Sequence, residues 1–580
     1  MNSLDTDQNN LLNAVMNGAQ KSIVIAPAGT GKTFCCIKMA QSFTNRKTMK
    51  NFQKILILTF SRNARAQIIK ELNKIDRDDI IYRHIKISNY HSFFKKYIDA
   101  YKPLLGINVK LSIIDEEEFK NDYLNYLTGK KEIIKKFDSN VFEDYIVIND
   151  EITKINSQTN IPEAIAEVSL KYIYPYIKET GQICFALFSM LFFDILKKSF
   201  ELGNSIAHDY PLIILDEYQD TNFYQESILN NFIDKTQTIF LCDPYQMIYG
   251  FRGSCPERIT SLEERYTELK QFEFKEYYRY KDKTDIIDIL NNIREKKEVC
   301  YSNLKNGKKY NVKVYSNSMY NARNNQGQLT SMCKQIYFKI SSDISKRIKQ
   351  NKSVAILCRY NDIVDRATRV FFENGYKPMV IADTKEMLQL TKLIKNVLFS
   401  TLKIKEMLNC FLVIGALCTN QCKFAGEDLN KLNDYKIDKI SRKRKGNIKT
   451  WYESIFNCLE ENKFESKQFC FEKIIECITT ENDVNFVRSR FARECFNIET
   501  ISPQDIDNLF LQKQYINSFS DIIAGIYITT IHQSKGREFD DVYIVDIGTI
   551  SKDKNLFYVA NSRMKEKLNP IYLDFVGSKY

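Results

Sequence analysis

Apolar residues in this chain fall into two arrangements. Short unbroken runs, Ser22–Ala26, Ile55–Thr59, Leu212–Asp216 and Thr238–Cys242, are each followed by a turn and a stretch permissive for helix. Runs of that length rich in β-branched residues fit strands buried on both faces of a parallel sheet. A second series, Val354–Cys358, Lys377–Ala382, Ile526–Thr530 and Val542–Val545, lies beyond a charged stretch around Lys281–Lys297. Strands alternating with helices in both series predict two α/β cores. The segments Lys95–Pro175 and Leu390 to about Ala524, the latter with the basic run Arg442–Lys445, carry helical patterning and few strand signals. The pattern thus predicts a first core over 1–95 and 176–272 with a mostly helical insertion at 96–175. A second core over 273–390 and 525–580 has its own helical insertion at 391–524. Insertions that interrupt a core in sequence are expected on the surface near a shared cleft.

Composition narrows the class. With 580 residues, 44% of them hydrophobic and 27% charged, the chain can bury large cores and is not of the disordered type. The formal net charge of +12 favours an anionic partner such as nucleic acid, although diluted over this length it does not prove one. The longest apolar stretch, Ile183–Leu196, is interrupted by Asp194 and is shorter than a membrane span, so no membrane segment is predicted. The 15 cysteines are scattered, and Met1–Asn13 lacks a basic-then-apolar leader, which together point to a reducing cytoplasm and buried free thiols. Cys418 and Cys422 lie four apart but have no second pair at zinc-binding spacing.

The run Ile23-Val24-Ile25-Ala26-Pro27-Ala28-Gly29-Thr30-Gly31-Lys32-Thr33 reads as strand, glycine-bearing turn and helix start, the Walker A arrangement. Gly29 and Gly31 let backbone N–H groups wrap phosphates, Lys32 can reach the β and γ phosphates, and the Thr33 hydroxyl can hold Mg²⁺. Ala26 stands where the common pattern has its first glycine. Pro211 to Asp220 then delivers Asp216 and Glu217 at the end of an apolar strand, a Walker B arrangement. Asp216 would bind Mg²⁺ and Glu217 would orient and deprotonate the attacking water. The bland alternatives are a chance glycine-rich turn and a solvated acidic turn.

Further motifs follow in order. They are Leu58-Thr59-Phe60-Ser61-Arg62-Asn63-Ala64, Tyr90-His91-Ser92-Phe93, Asp216 to Thr221 with Gln225, Asp243 to Gly253, Tyr277-Tyr278-Arg279, Thr530 to Phe539, and Phe557 to Arg563. On these residues the sequence resembles the UvrD/Rep family of superfamily 1 helicases, and the resemblance spans both cores. It implies two RecA-like P-loop cores with ATP and Mg²⁺ at the cleft between them, and 3′-to-5′ translocation on single-stranded DNA. By the same resemblance Gln246 would couple the γ-phosphate to DNA, and Arg279 and Arg563 would act as arginine fingers. Gln8 and Tyr278 would meet adenine, with Ala28 and Thr30 in the phosphate loop, and Glu538 would meet the ribose. For Gln8 a plain helix start, and for Arg279 and Glu538 an ordinary surface charge, are the alternatives.

DNA needs aromatic faces for bases and donors for phosphates along one groove. The resemblance points to Phe60, His91, Tyr249 and Phe251 as aromatic contacts, with core packing the alternative, and to Arg62, Arg252, His532 and Lys535 as further DNA or interdomain contacts. Departures from the family pattern are Ser61-Arg62-Asn63, Cys242 before Asp243, Asn561-Ser562 before Arg563, and Phe34 after Thr33 where an adenine-flanking Arg is common. The sequence is also similar to helicase-like subunits of anti-phage systems such as Gabija. That similarity implies a second reading, a DNA- or nucleotide-sensing regulatory ATPase that controls a separate nuclease partner without processive unwinding.

Overall fold

In a computed structural model the four apolar runs of the first series become β1 (Lys21–Ile25), β2 (Ile55–Thr59), β4 (Leu212–Leu215) and β5 (Gln237–Cys242). They are joined by β3 (Ile85–Asn89) and β6 (Lys270–Glu273) in a sheet of order β6-β1-β5-β4-β2-β3, with every pairing parallel. The structure describes residues 3–380, 394–399 and 524–576, apart from 46–48, 61, 76–78, 115, 131–136, 149–150, 249, 251–256, 303 and 377. The expected helical insertion at 391–524 therefore lies almost wholly outside the described residues.

The unbroken apolar runs have a direct cause in this sheet. Ile23, Leu56, Leu58, Ile213, Leu215, Phe240 and Cys242 face one core, while Val24, Ile55, Ile57, Leu212, Ile214, Ile239 and Leu241 face another. Successive strand residues point to opposite faces, so a strand covered on both sides must be apolar throughout. The second core is closed by α1 (Thr6–Met16) and α2 (Lys32–Thr44), which contribute Leu11, Val15, Cys36, Met39 and Phe43. On the other face pack α4 (Tyr90–Tyr101) and α5 (Leu187–Lys198). That core runs on into Phe119, Tyr123 and Phe142 of the 96–175 segment and into Tyr176 just beyond it, and the segment also holds a hairpin, Tyr145–Ile148 with Glu151–Lys154.

Asp194, the break in the apolar run, sits in α5 and accepts a hydrogen bond from Tyr174 Oη. Burial pushes its carboxyl above the usual range. A raised native value means stability is highest below the ordinary carboxylate pKa and falls as pH rises through the raised one. Asp194→Asn is therefore expected to raise the unfolding temperature by about a few degrees at pH 8 and to change it little at pH 4. Thermal unfolding at the two pH values checks this; an equal change at both would exclude titration of Asp194 as the cause.

The first compact unit comprises Met1–Gly307 together with Lys535–Glu538 and Thr549–Lys565, and the second comprises Lys308–Ser534, Phe539–Gly548 and Glu566–Tyr580. The pattern placed the change of core near residue 272, whereas α6 (Thr284–Arg294) belongs to the first unit. The reason is its contacts: Asn291 accepts from Tyr277 Oη at 3.0 Å, and Arg294 pairs with Glu273 at 3.0 Å. The helix α7 (Lys554–Asn561), late in the sequence, packs on α6 and on the turn Pro244–Gln246.

The second unit has its own sheet, of β7 (Tyr310–Val314), β8 (Ser353–Cys358), β9 (Met379–Val380), β10 (Gly525–Thr530), β11 (Phe539–Val545) and β12 (Met564–Phe575). Its order is β7-β12-β11-β8-β10-β9. Helices Gln326–Lys349 and Asn361–Glu373 cover it through Ile336, Ile340, Ile344, Val370 and Phe371. No helix among the described residues is long and apolar enough to cross a membrane.

Candidate nucleotide site

The strand order brings the C-terminal ends of β1, β5, β4 and β2 side by side, with Ile25 opposite Cys242, Phe240 opposite Leu215, and Leu215 opposite Leu58. In open α/β sheets ligands bind outside that edge. Here it carries the Gly29–Thr33 turn, Asp243, Asp216 and Phe60.

The phosphate loop is held from three sides. Gln8 Nε2 donates to Thr30 O at 3.1 Å, and Gln8 also closes a capping box with Asp5 at the start of α1. Tyr278 N and Arg279 N both donate to Gly29 O, at 2.9 and 3.2 Å. Ala28 N donates to Tyr558 Oη at 3.3 Å. Gly29 and Gly31 have φ of 87° and 83°, which side-chain-bearing residues rarely adopt. A methyl group on Gly29 would also stand 3.0 Å from Arg279 Cβ. Gly31 supplies no side-chain cap to α2, so the first N–H groups of that helix point at the loop as an anion site. Lys32 and Thr33 open α2 and are half-buried.

Glu217 follows β4 with φ 54° and ψ 41°, a left-handed conformation that is strained for a residue other than glycine. This turn brings its carboxylate 3.4 Å from Lys32 Nζ, and Gln219 Nε2 donates to the other oxygen at 2.5 Å. Gln219 Oε1 accepts from Asp243 N at 3.0 Å, Asp243 Oδ2 accepts from Gln246 Nε2 at 2.6 Å, and Gln246 Oε1 accepts from Arg563 Nη2 at 3.0 Å. A continuous chain of hydrogen bonds thus runs from Glu217 to Arg563. Asp216 is buried and accepts from Thr59 Oγ1 at 3.3 Å. Burial and the Glu217 charge push the Asp216 carboxyl up. Burial would also raise Glu217, but Lys32 and Lys535 outweigh it and hold Glu217 low.

Arg563 is 4% exposed, and its guanidinium also donates to Val559 O and Ser562 Oγ. Arg279 pairs with Glu538 and donates to Ser562 O at 2.9 Å. Tyr278 Oη donates to Asp5 Oδ2 at 2.6 Å. The expected site residues Gln8, Lys32, Asp216, Glu217, Gln246, Tyr278, Arg279, Glu538 and Arg563 therefore lie in one linked set within the first unit.

The residues expected along a DNA path are placed less uniformly. Phe60 is half-buried at the end of β2, and Arg62 opens α3 (Arg62–Leu72). His91, in the first turn of α4, meets Phe185 and Phe188 edge-on at 5.6 and 5.8 Å between ring centroids. His532 belongs to the second unit, in the single turn after β10. Lys535 sits inside the nucleotide-site set, its ammonium on Asp220 and Gln246 O and 3.8 Å from Glu217. Tyr249, Phe251 and Arg252 lie outside the described residues. Sequence reasoning did not assign roles to Gln219, Asp220, Asp243 or Tyr558. All stand inside motifs already noted, but nothing in local spacing says which polar side chain in a motif bridges to another motif.

The family described as the UvrD/REP helicase N-terminal domain matches residues 5–267, and the UvrD-like helicase C-terminal domain matches 525–569. Together they span just over half of the chain. A Mycoplasma pneumoniae protein described as a probable DNA helicase II homolog is 24% identical over 96% of this chain and 82% of its own length. The ATP-dependent DNA helicase Rep of Buchnera aphidicola is 22% identical over 98% of this chain and 92% of its own. The ATP-dependent DNA helicase PcrA of Staphylococcus aureus is 21% identical over 98% and 83%. The matches cover the strand-turn-helix at Lys32, the Asp216–Glu217 turn and the whole of the motif that ends in Arg563, and the chain belongs to the UvrD/Rep family of helicases.

Proposed function

We propose that this chain is an ATP-dependent DNA helicase that moves 3′ to 5′ along single-stranded DNA. The observation that carries the reading is the hydrogen-bonded chain from Glu217 through Gln219, Asp243 and Gln246 to Arg563, beside Lys32. It links a phosphate cation, a carboxylate able to take a proton from water, and a buried guanidinium. Phosphoryl transfer needs positioning and charge stabilisation of this kind. The relatives named Rep and PcrA are ATP-dependent DNA helicases, which supports the same activity here.

Lys32 and the N-terminus of α2 would hold the β and γ phosphates. Glu217 would orient the attacking water and accept its proton, and Arg279 and Arg563 would balance the charge that develops on the γ-phosphoryl group. Gln8 and Tyr278, both tied to the phosphate loop, would flank adenine, and Glu538 would meet the ribose. Thr33 and Asp216 offer a hydroxyl and a carboxylate, the hard oxygen donors that suit Mg²⁺ alongside phosphate oxygens. Burial first, and then the Glu217 charge, raise the Asp216 carboxyl, and a divalent cation there would offset both. Such a cation would neutralise charge on the transferring phosphate. The free thiols of Cys35, Cys36, Cys184 and Cys242 suit a reducing cytoplasm.

The test is ATP hydrolysis with and without single-stranded DNA, together with strand displacement on duplexes with 3′ or 5′ tails. Hydrolysis stimulated by DNA and displacement from 3′ tails is the expected result; displacement only from 5′ tails would reverse the polarity. DNA coupling is assigned to the motif that holds Gln246 and Phe251. Phe251→Ala should keep basal hydrolysis and lose about 1–3 kcal/mol of stacking per contacted base. Its slope of log affinity against log salt should stay nearly unchanged, whereas loss of a phosphate-contacting cation shallows it by about one unit. Undiminished DNA stimulation in a folded Phe251→Ala protein would remove Phe251 from the DNA path.

A further inference from the structure

Two guanidinium groups stand close together at the nucleotide site, and they are neutralised unequally. The described hydrogen bonds of Arg563 go to neutral acceptors, Val559 O, Ser562 Oγ and Gln246 Oε1. Burial, and then the charge of Arg279, lower its hold on its proton. Arg279, bonded to the carbonyl of the residue just before Arg563, has a carboxylate of its own in Glu538. That pair is mostly out of water, with side chains 19% and 27% exposed. The segment bearing Glu538 is pinned: Lys535 is held on Asp220, and Gly536 O accepts from Gln67 Nε2 at 2.9 Å. The backbone that carries the carboxylate is therefore anchored, while Arg279 reaches the pair on the longer side chain, which is also bonded to Ser562 O and Tyr280 Oη.

We propose that Glu538 is a positioning residue that acts through Arg279, holding its guanidinium in the nucleotide-free molecule and yielding it to the γ-phosphate of a bound nucleoside triphosphate. This rests on the nucleotide-hydrolysing reading above. The pair makes the γ-phosphate compete with a carboxylate already in place, so much of what Arg279 gives to a ground-state triphosphate is offset by what it leaves. Only when further charge develops on the γ-phosphoryl oxygens does the balance favour the phosphate. Glu538 thus keeps hydrolysis slow until the site is driven toward the reacting arrangement.

The test is a double-mutant cycle on the full chain with Glu538→Gln, which keeps the shape and an acceptor oxygen but not the charge, and Arg279→Ala. Glu538→Gln should bind adenosine 5′-(β,γ-imido)triphosphate roughly five- to twentyfold more tightly relative to ADP, the ratio cancelling any change at the ribose that the two nucleotides share. DNA-free kcat should rise by a similar factor, and the ratio of DNA-stimulated to basal rate should shrink in proportion. In the Arg279→Ala background Glu538→Gln should change neither quantity; Arg279→Gln replaces it if the alanine variant does not fold. Equal tightening in that background, no tightening in either, or tighter binding of ADP and the triphosphate alike overturns the proposal. If the wild-type chain hydrolyses no ATP, the hydrolase reading fails, and the analogue titration still decides whether Glu538 holds Arg279.

Discussion

Glu217→Gln is expected to bind ATP normally and to lose turnover by about 10²- to 10⁴-fold, the range of a general base removed from a hydrolytic step. Two observations support so large an effect. The backbone at Glu217 is held at φ 54°, which aims the carboxylate, and Lys32, Lys535 and Gln219 converge on it. The amide keeps the shape and the bond from Gln219 but cannot take a proton from water. Lys32→Ala should also abolish hydrolysis, by removing the phosphate cation, and it should weaken triphosphate binding where Glu217→Gln does not. Equilibrium binding of ATP to both variants, beside steady-state hydrolysis, separates them. Wild-type turnover in Glu217→Gln would show that another group activates water.

Arg563→Ala and Arg279→Ala should each lower kcat by at least about a hundredfold while ATP affinity stays within a few-fold, because the charge they stabilise develops in the transition state. For Arg563 the geometry adds a further reason. Its guanidinium is buried, its described hydrogen bonds go to neutral acceptors, and Gln246 and Asp243 link it to the Glu217 side of the site, so a phosphate anion would meet a charge that no described ion pair neutralises directly. For Arg279, affinity is further insulated by the Glu538 pair that the phosphate must displace. A loss of affinity at unchanged kcat would place either residue in ground-state binding. Arg563→Lys should recover little of the rate, since an ammonium does not reproduce a planar fork that reaches Gln246, Ser562 and a phosphate together.

The four central strands of the first sheet were plain in the sequence because a strand buried on both faces must be apolar at every position, as the assignment of Ile23 and Val24 to different cores illustrates. Edge and half-exposed strands escaped. Ile85–Asn89 carries an exposed Lys86, Lys270–Glu273 is almost wholly exposed, and Met564–Phe575 mixes charges with Pro570. Covered on fewer sides, they have no need of an apolar run.

The phosphate loop and the Asp216–Glu217 turn were equally legible, since their chemistry is set by neighbours in sequence: glycines with positive φ, a helix start, two carboxylates at a strand end. The tertiary structure decided what long polar side chains reach across to. Lys535 suits a DNA phosphate or a carboxylate equally well by residue type, and it lies on Asp220 because the Lys535–Glu538 segment packs in the first unit. Glu538 and Arg279, 259 residues apart, form a pair that no local period encodes. Likewise α7 joins the first unit through Tyr558, whose hydroxyl accepts from Ala28 N of a segment 530 residues away. Backbone periodicity is a local steric property and is written in the order of residues. The partner of a charged side chain depends on which surfaces the packed cores bring within a few ångströms, and that is fixed only when the chain has folded.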